Sequence, residues 1–207
     1  MAIPRAQVDR TKLNQQAELP FELRSLDFEL AMQDVYDFLF DVNTLLLGKG
    51  LPRLEASVRP AIVSGLLSDL LTSALARHSR ALVENRYPNG HPDLLRRGAY
   101  EGEAALAGVE GVEVKATNKR GGAVDTHGGR DQWMAVFVYE APALGDTANP
   151  LLFREVYLGQ VLATQFRRNP RGELGTRTAT LNAAGIAGLR ASWVYRDLLR
   201  PLGARGR

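Results

Sequence analysis

The run Gln132-Trp133-Met134-Ala135-Val136-Phe137-Val138-Tyr139 is apolar almost without interruption. A strand with one wet face alternates apolar and polar residues, whereas a strand apolar at nearly every position is covered on both faces, so this one belongs in the middle of a sheet. A chain organised on such a strand must supply covering elements. The strongest helix signal provides one: Ser57 in capping position, Pro60 in the first turn, and Ile62, Leu66, Leu67, Leu70, Leu71, Ala74 and Leu75 at helical spacing up to about Ser79. A second helix is predicted over Phe21 to Leu47, where Leu26, Leu30, Tyr36, Leu39 and Phe40 form a wide apolar stripe among acids, and Gly48-Lys49-Gly50-Leu51-Pro52 stops it.

The remaining pattern fills in a sheet. Ala81 to Arg86 reads as a strand, Tyr87 to Pro92 as turn chemistry, and residues 96–110 as a surface connection rich in Gly, Ala and Glu. Leu151 to Phe166 fits a helix imperfectly; Val156 to Leu162 fits a strand better because of its central glycine and β-branched residues. Thr176 to Leu181 alternates like a short strand, and Asn182 can cap a final helix from about Ala183 to Leu199, with Ile186, Leu189, Trp193, Val194 and Leu198 inward. The expected organisation is a polar N-terminal arm (1–20), one domain (21–200) with a helical part (21–80), a sheet core (81–182) and a C-terminal helix, and a tail (201–207). The fold class is α/β, of the α+β kind.

With 207 residues the chain can bury one substantial core. It has no cysteine, which excludes disulfides and thiolate metal sites. No apolar run approaches the roughly 20 residues of a membrane span, and the N-terminus lacks a signal-peptide core, so a cytoplasmic protein with no membrane partner is expected. The net charge of +3 conceals an asymmetry: Glu18 to Asp41 holds seven acids and one base, and Gln165 to Arg207 nine arginines and two acids. Arginine suits phosphate contacts, because each guanidinium can bond two oxygens at once.

Chemistry is concentrated between Asn85 and Tyr139. Glu113 and Lys115 are two apart, so on a strand they leave one face roughly 6–7 Å apart while Val112, Val114 and Ala116 take the other. A buried ion without a partner costs several kcal/mol, so such a pair on an apolar strand requires a reason. Pro92-Asp93 precedes it and can bring a second carboxylate; Thr117-Asn118-Lys119-Arg120-Gly121-Gly122 follows as a polar, basic exit. Up to Arg130 this loop carries four glycines, which let a backbone approach a phosphate closely. It has no Walker-type ending, so no nucleotide cofactor is expected.

Pro92-Asp93, then Glu113-Val114-Lys115, then an apolar strand resembles the core of the PD-(D/E)xK nuclease superfamily, which includes many type II restriction endonucleases. The likeness covers about Ser57 to Glu140. It implies a restriction-endonuclease-like core, with a central mixed sheet of four to five strands flanked by helices. It also implies Mg²⁺-dependent hydrolysis of DNA phosphodiester bonds, with Mn²⁺ able to substitute. Asp93, Glu113 and the Val114 carbonyl would hold the metal, and Lys115 would serve the attacking water. Glu84, Asp69 and Gln132 are secondary candidates for the same cleft. His91 lacks an identifiable partner in the sequence. Lys119, Arg120, Arg130, Arg167, Arg168, Arg171 and Arg177 are the expected contacts to double-stranded DNA, and a homodimer is the expected assembly. The function expected is site-specific cutting of the restriction type, with a structure- or end-specific repair or phage nuclease of the same fold, or a non-catalytic DNA-binding protein, as alternatives.

Overall fold

The computed structural model describes residues 3–119, 121–122, 124–126, 128–168 and 178–197. In chain order its helices are α1 (Ser25–Gly48), α2 (Leu54–Ser57), α3 (Pro60–His78) and α4 (Ala183–Ala191). Its strands are β1 (Leu82–Glu84), β2 (Leu94–Arg96), β3 (Gly111–Thr117), β4 (Asp125–Thr126), β5 (Gln132–Glu140), β6 (Leu152–Val161), β7 (Phe166–Arg168), β8 (Ala179–Leu181) and β9 (Trp193–Arg196). Six strands form one sheet in the order β1-β2-β3-β5-β6-β9, and β4, β8 and β7 form a small separate sheet. The large sheet is mixed, because β3 and β5 run parallel and its other neighbours antiparallel. The chain is thus mixed α/β, and its apolar run β5 lies in the sheet interior.

Alternation along β5 separates two cores. Trp133, Ala135, Phe137 and Tyr139 face α1 and α3, while Met134, Val136 and Val138 face the layer formed by α4 and the small sheet. On the helix side, α1 buries Phe28, Ala31, Met32, Val35, Tyr36 and Leu39, and α3 buries Val63, Leu67, Leu71, Ala74 and Leu75, each set at helical spacing. Phe137 is fully buried between Phe28 and Phe153, with ring centroids 5.9 and 5.8 Å away. Truncating such a side chain costs about 3–5 kcal/mol through lost transfer energy and the cavity left behind. The helix layer is fixed at its ends: the Arg24 N–H donates to Asp27 Oδ2 at 2.9 Å where α1 starts, and the Tyr36 hydroxyl accepts from the Phe153 N–H at 2.8 Å.

Several local expectations are corrected. Ser57 does not cap the long helix; it ends α2, donating back to the Arg53 carbonyl, and Arg59 is the residue before α3. Residues 94–96, which end at the first residue of the expected surface connection, form β2. The last helix stops at Ala191, and Trp193 to Arg196 pair with β6 instead, so the sheet has six strands rather than four or five. Gly185 and Gly188 weaken helix continuation, and Trp193-Val194-Tyr195 gain a ladder at the open edge of β6. Leu198, Leu199 and the tail lie outside the described residues, as do Thr176 and Arg177 at the start of the strand expected from Thr176 to Leu181. The lead-in is irregular but anchored, with Ile3, Ala6 and Leu13 buried and the Asn14 N–H donating to the Val194 carbonyl at 2.8 Å. Among the described residues no helix is long and apolar enough to cross a membrane.

Candidate active site

The site begins where a strand pairing stops. β2 meets β3 at Leu94↔Val112 and Leu95↔Gly111, and continuing that register sets Asp93 opposite Glu113 and Pro92 opposite Val114. Pro92 has no N–H to contribute to a ladder. The Val114 N–H instead donates to the Asp93 side chain, Oδ2, at 2.8 Å, and two residues on the Ala116 N–H donates to Ser68 Oγ of α3 at 2.9 Å. A strand residue's N–H and C=O lie on the same edge, so the Val114 carbonyl faces the opening that Pro92 leaves. The edge of β3 is therefore lined by side chains rather than by a neighbouring strand.

The turn before Asp93 is held by Asn85. Its Nδ2 donates to the Pro92 and Ala105 carbonyls at 3.0 and 2.8 Å, and its Oδ1 accepts from the N–H groups of Tyr87 and Ala105. Gly90 packs so tightly within this turn that a Cβ there would lie 2.3 Å from the Ala105 carbonyl oxygen. Asp93 is thereby placed by a network that reaches across residues 85–105.

Val112, Val114 and Ala116 point into the helix-side core, so Glu113 and Lys115 leave the sheet on the α4 side. Glu113 is 2% exposed. The Lys115 ammonium lies 2.7 Å from Glu113 Oε1 and 3.4 Å from Asp93 Oδ2, and His91 Nδ1 lies 3.3 Å from Glu113 Oε2. Burial acts to raise the Glu113 pKa, but the bond from His91 and the charge of Lys115 outweigh it and hold the carboxyl at about 2. For Asp93 the balance is reversed: burial, reinforced by the Glu113 charge, raises it despite Lys115. For Lys115, burial works against the charged form, yet the two carboxylates prevail and raise its pKa, keeping it an ammonium.

Two carboxylates thus converge on one cation. Among the described residues no three His, Asp or Glu side chains assemble as a metal-holding group. The fit to a divalent ion rests on Asp93, Glu113 and the Val114 carbonyl, which are hard oxygen donors of the kind Mg²⁺ takes alongside water and substrate phosphate. Oδ1 of Asp93 has no hydrogen-bond partner among the described residues and is available as a ligand.

Beyond Lys115 a cleft of about 590 Å³ opens between α3 and the loop after β3, lined by Ser64, Ser68, Asp69, Lys115, Lys119 and Asp125 among others. Asp69 is exposed in this wall and shares the cleft with Lys115. Gln132 does not join them: Trp133 pairs with Val112 and Val136 with Lys115, so Gln132 starts β5 level with Gly111, at the far end of β3. Its buried Nε2 has no hydrogen-bond partner among the described residues. Glu84 is exposed and lines a separate hollow with Arg77, Arg86 and Arg97.

Among the basic candidates, Lys119 is exposed in the cleft 3.4 Å from Asp125, and Arg167 and Arg168 are exposed on β7. Arg130 is half-buried and has interactions of its own. Arg120, Arg171 and Arg177 lie outside the described residues. In the glycine-rich loop Gly122 needs its glycine, with φ at 76° and a Cβ position 2.9 Å from the Tyr157 ring. The residue that sequence reasoning left without a partner is His91, whose ring meets Glu113 across the turn. No family model, curated protein or solved structure matches the chain.

Proposed function

We propose that this chain is a Mg²⁺-dependent deoxyribonuclease of the PD-(D/E)xK kind, which hydrolyses phosphodiester bonds of double-stranded DNA at specific sites. The observation that carries the reading is the Lys115 ammonium within hydrogen-bond distance of both Asp93 and Glu113, at a strand edge that opens into a cleft. The order of elements supports it as well: a helix on the sheet, an Asp turn, a strand with Glu-x-Lys, and a buried parallel strand beside it.

Asp93, Glu113 and the Val114 carbonyl would hold the ion. When bound, Mg²⁺ polarises the phosphodiester and lowers the pKa of a coordinated water. Lys115, kept protonated by its two carboxylates, orients the attacking water by donating to it and offsets charge on the phosphorus oxygens. The water oxygen bonds to phosphorus as the bond to the 3′ oxygen breaks; the proton that the water loses passes to solvent and the departing 3′ oxygen takes one up from solvent, leaving 5′-phosphate and 3′-hydroxyl ends.

DNA approaches from the α4 side of the sheet. Glu113 and Lys115 project there, and the small sheet on that side carries Arg167 and Arg168, whereas Asp34, Asp37 and Asp41 lie on α1 in the opposite layer. Lys119 lines the cleft beside Lys115. Cutting both strands of a two-fold symmetric site is most simply done by a two-fold symmetric dimer. Purified protein incubated with supercoiled plasmid and Mg²⁺ tests the reading. Discrete fragments support site-specific cutting, smearing or end-shortening replaces it with a structure- or end-specific nuclease, and intact plasmid that is nonetheless bound makes the chain a DNA-binding protein.

A further inference from the structure

The proposed ion contacts do not use His91, although its ring is the other group bonded to Glu113. One carboxylate oxygen, Oε1, faces Lys115 at 2.7 Å, and the other, Oε2, faces His91 Nδ1 at 3.3 Å. The backbone of His91 is clamped from both directions: its N–H donates to the Leu106 carbonyl at 3.1 Å, and its carbonyl accepts from the Gly108 N–H at 2.6 Å. Gly90 before it lies where a Cβ would meet Ala105 and Asn85, and the Pro92 carbonyl after it accepts from Asn85. The imidazole is therefore delivered to Glu113 by a turn with little freedom, and its side chain is only 18% exposed.

We propose that His91 is a positioning residue: by donating from Nδ1 to Glu113 Oε2 it fixes the carboxylate plane, so that Glu113 presents one defined oxygen beside Asp93 and Lys115. A carboxylate held at one oxygen by a flexible lysine alone can rotate about its last bond. A second donor on a rigid turn removes that rotation before any ion arrives, which is how groups behind a ligand tune metal affinity. His91 touches neither substrate nor the ion in this arrangement. The inference rests on the nuclease reading above, because it assigns Glu113 as a metal ligand.

The test measures Mn²⁺ binding directly, by calorimetry or by the spin resonance of free Mn²⁺, together with the Mg²⁺ concentration that half-saturates plasmid cleavage. For His91→Ala the Mn²⁺ dissociation constant is expected to rise by about 10- to 100-fold, with a matching rise in the half-saturating Mg²⁺. Cleavage at saturating Mg²⁺ should stay within a few-fold of the parent. Asn places an amide N–H near the position of Nδ1, so His91→Asn is expected to recover most of the affinity, which a mere packing role would not produce. Unchanged Mn²⁺ affinity in a folded His91→Ala protein overturns the inference, and so does loss of affinity that Asn fails to restore. If the parent itself shows no Mn²⁺ binding that Asp93→Asn abolishes, the nuclease reading has failed rather than the role of His91.

Discussion

Replacing Lys115 by Met keeps much of the volume and removes the charge between two carboxylates. Holding Glu113 at about 2 against its ordinary 4.5 corresponds to about 3 kcal/mol of stability at neutral pH, supplied jointly by His91 and Lys115. Breaking a fully buried ion pair costs about 3–5 kcal/mol, but Lys115 and Asp93 are 23% and 28% exposed, and water softens the loss. A destabilisation of about 2 kcal/mol at pH 7 is therefore expected, measured by urea unfolding with an unchanged slope. The pH dependence carries a sharper signature. A depressed carboxyl pKa contributes stability that is complete above 4.5 and is lost as pH falls toward about 2, because the unfolded chain then binds the proton more readily. The variant lacks the share that Lys115 supplies, so the gap from the parent should narrow through that window. At the alkaline end the raised Lys115 pKa makes the parent's advantage complete below 10.5 and lost as pH rises through the raised value. Added Mg²⁺ should also narrow the gap, since it supplies positive charge to the same carboxylates. Equal stability at pH 7 with superimposable pH curves would refute the account of the charged group.

Asp93→Asn should abolish Mg²⁺-dependent cleavage while leaving gel-shift affinity for DNA within a few-fold, because it removes a metal ligand and leaves the groups that meet phosphate in place. Converting Arg167 and Arg168 to Ala should lower the slope of log affinity against log salt by about one for each phosphate that is no longer neutralised; an unchanged slope returns both to a solvated strand. Gly90→Ala forces a Cβ to within 2.3 Å of the Ala105 carbonyl, and a loss of about 1–3 kcal/mol in thermal or urea unfolding is expected.

What could be read from the sequence was whatever repeats over short spans. The burial of β5 follows from an unbroken apolar run, and the apolar face of α3 and the opposition of Val112, Val114 and Ala116 to Glu113 and Lys115 follow from periods of 3.6 and 2 residues. Strand pairings between distant segments left no such signal. Trp193 to Arg196 look like the end of an amphipathic helix until the open edge of β6 is available to them, and β8 joins β4 and β7 rather than the main sheet through pairings that no short-range period encodes. The site divides in the same way. Glu113 and Lys115 are legible from their spacing, whereas the bond from His91 depends on the β2–β3 register and on the turn that Asn85 holds. The misplacement of Gln132 has a related cause: a strand's start and its neighbour's chemistry can be close in sequence yet at opposite ends of a parallel pair.

The central claim is that Asp93, Glu113 and Lys115 act as one cation-binding and hydrolytic unit. Its most direct test is the rate constant of Mg²⁺-dependent plasmid cleavage by Lys115→Ala protein shown to be folded, to bind DNA and to bind Mn²⁺. The account predicts a fall of about 10²- to 10⁴-fold with metal and DNA binding retained. Cleavage by Lys115→Ala at the parent's rate would contradict it.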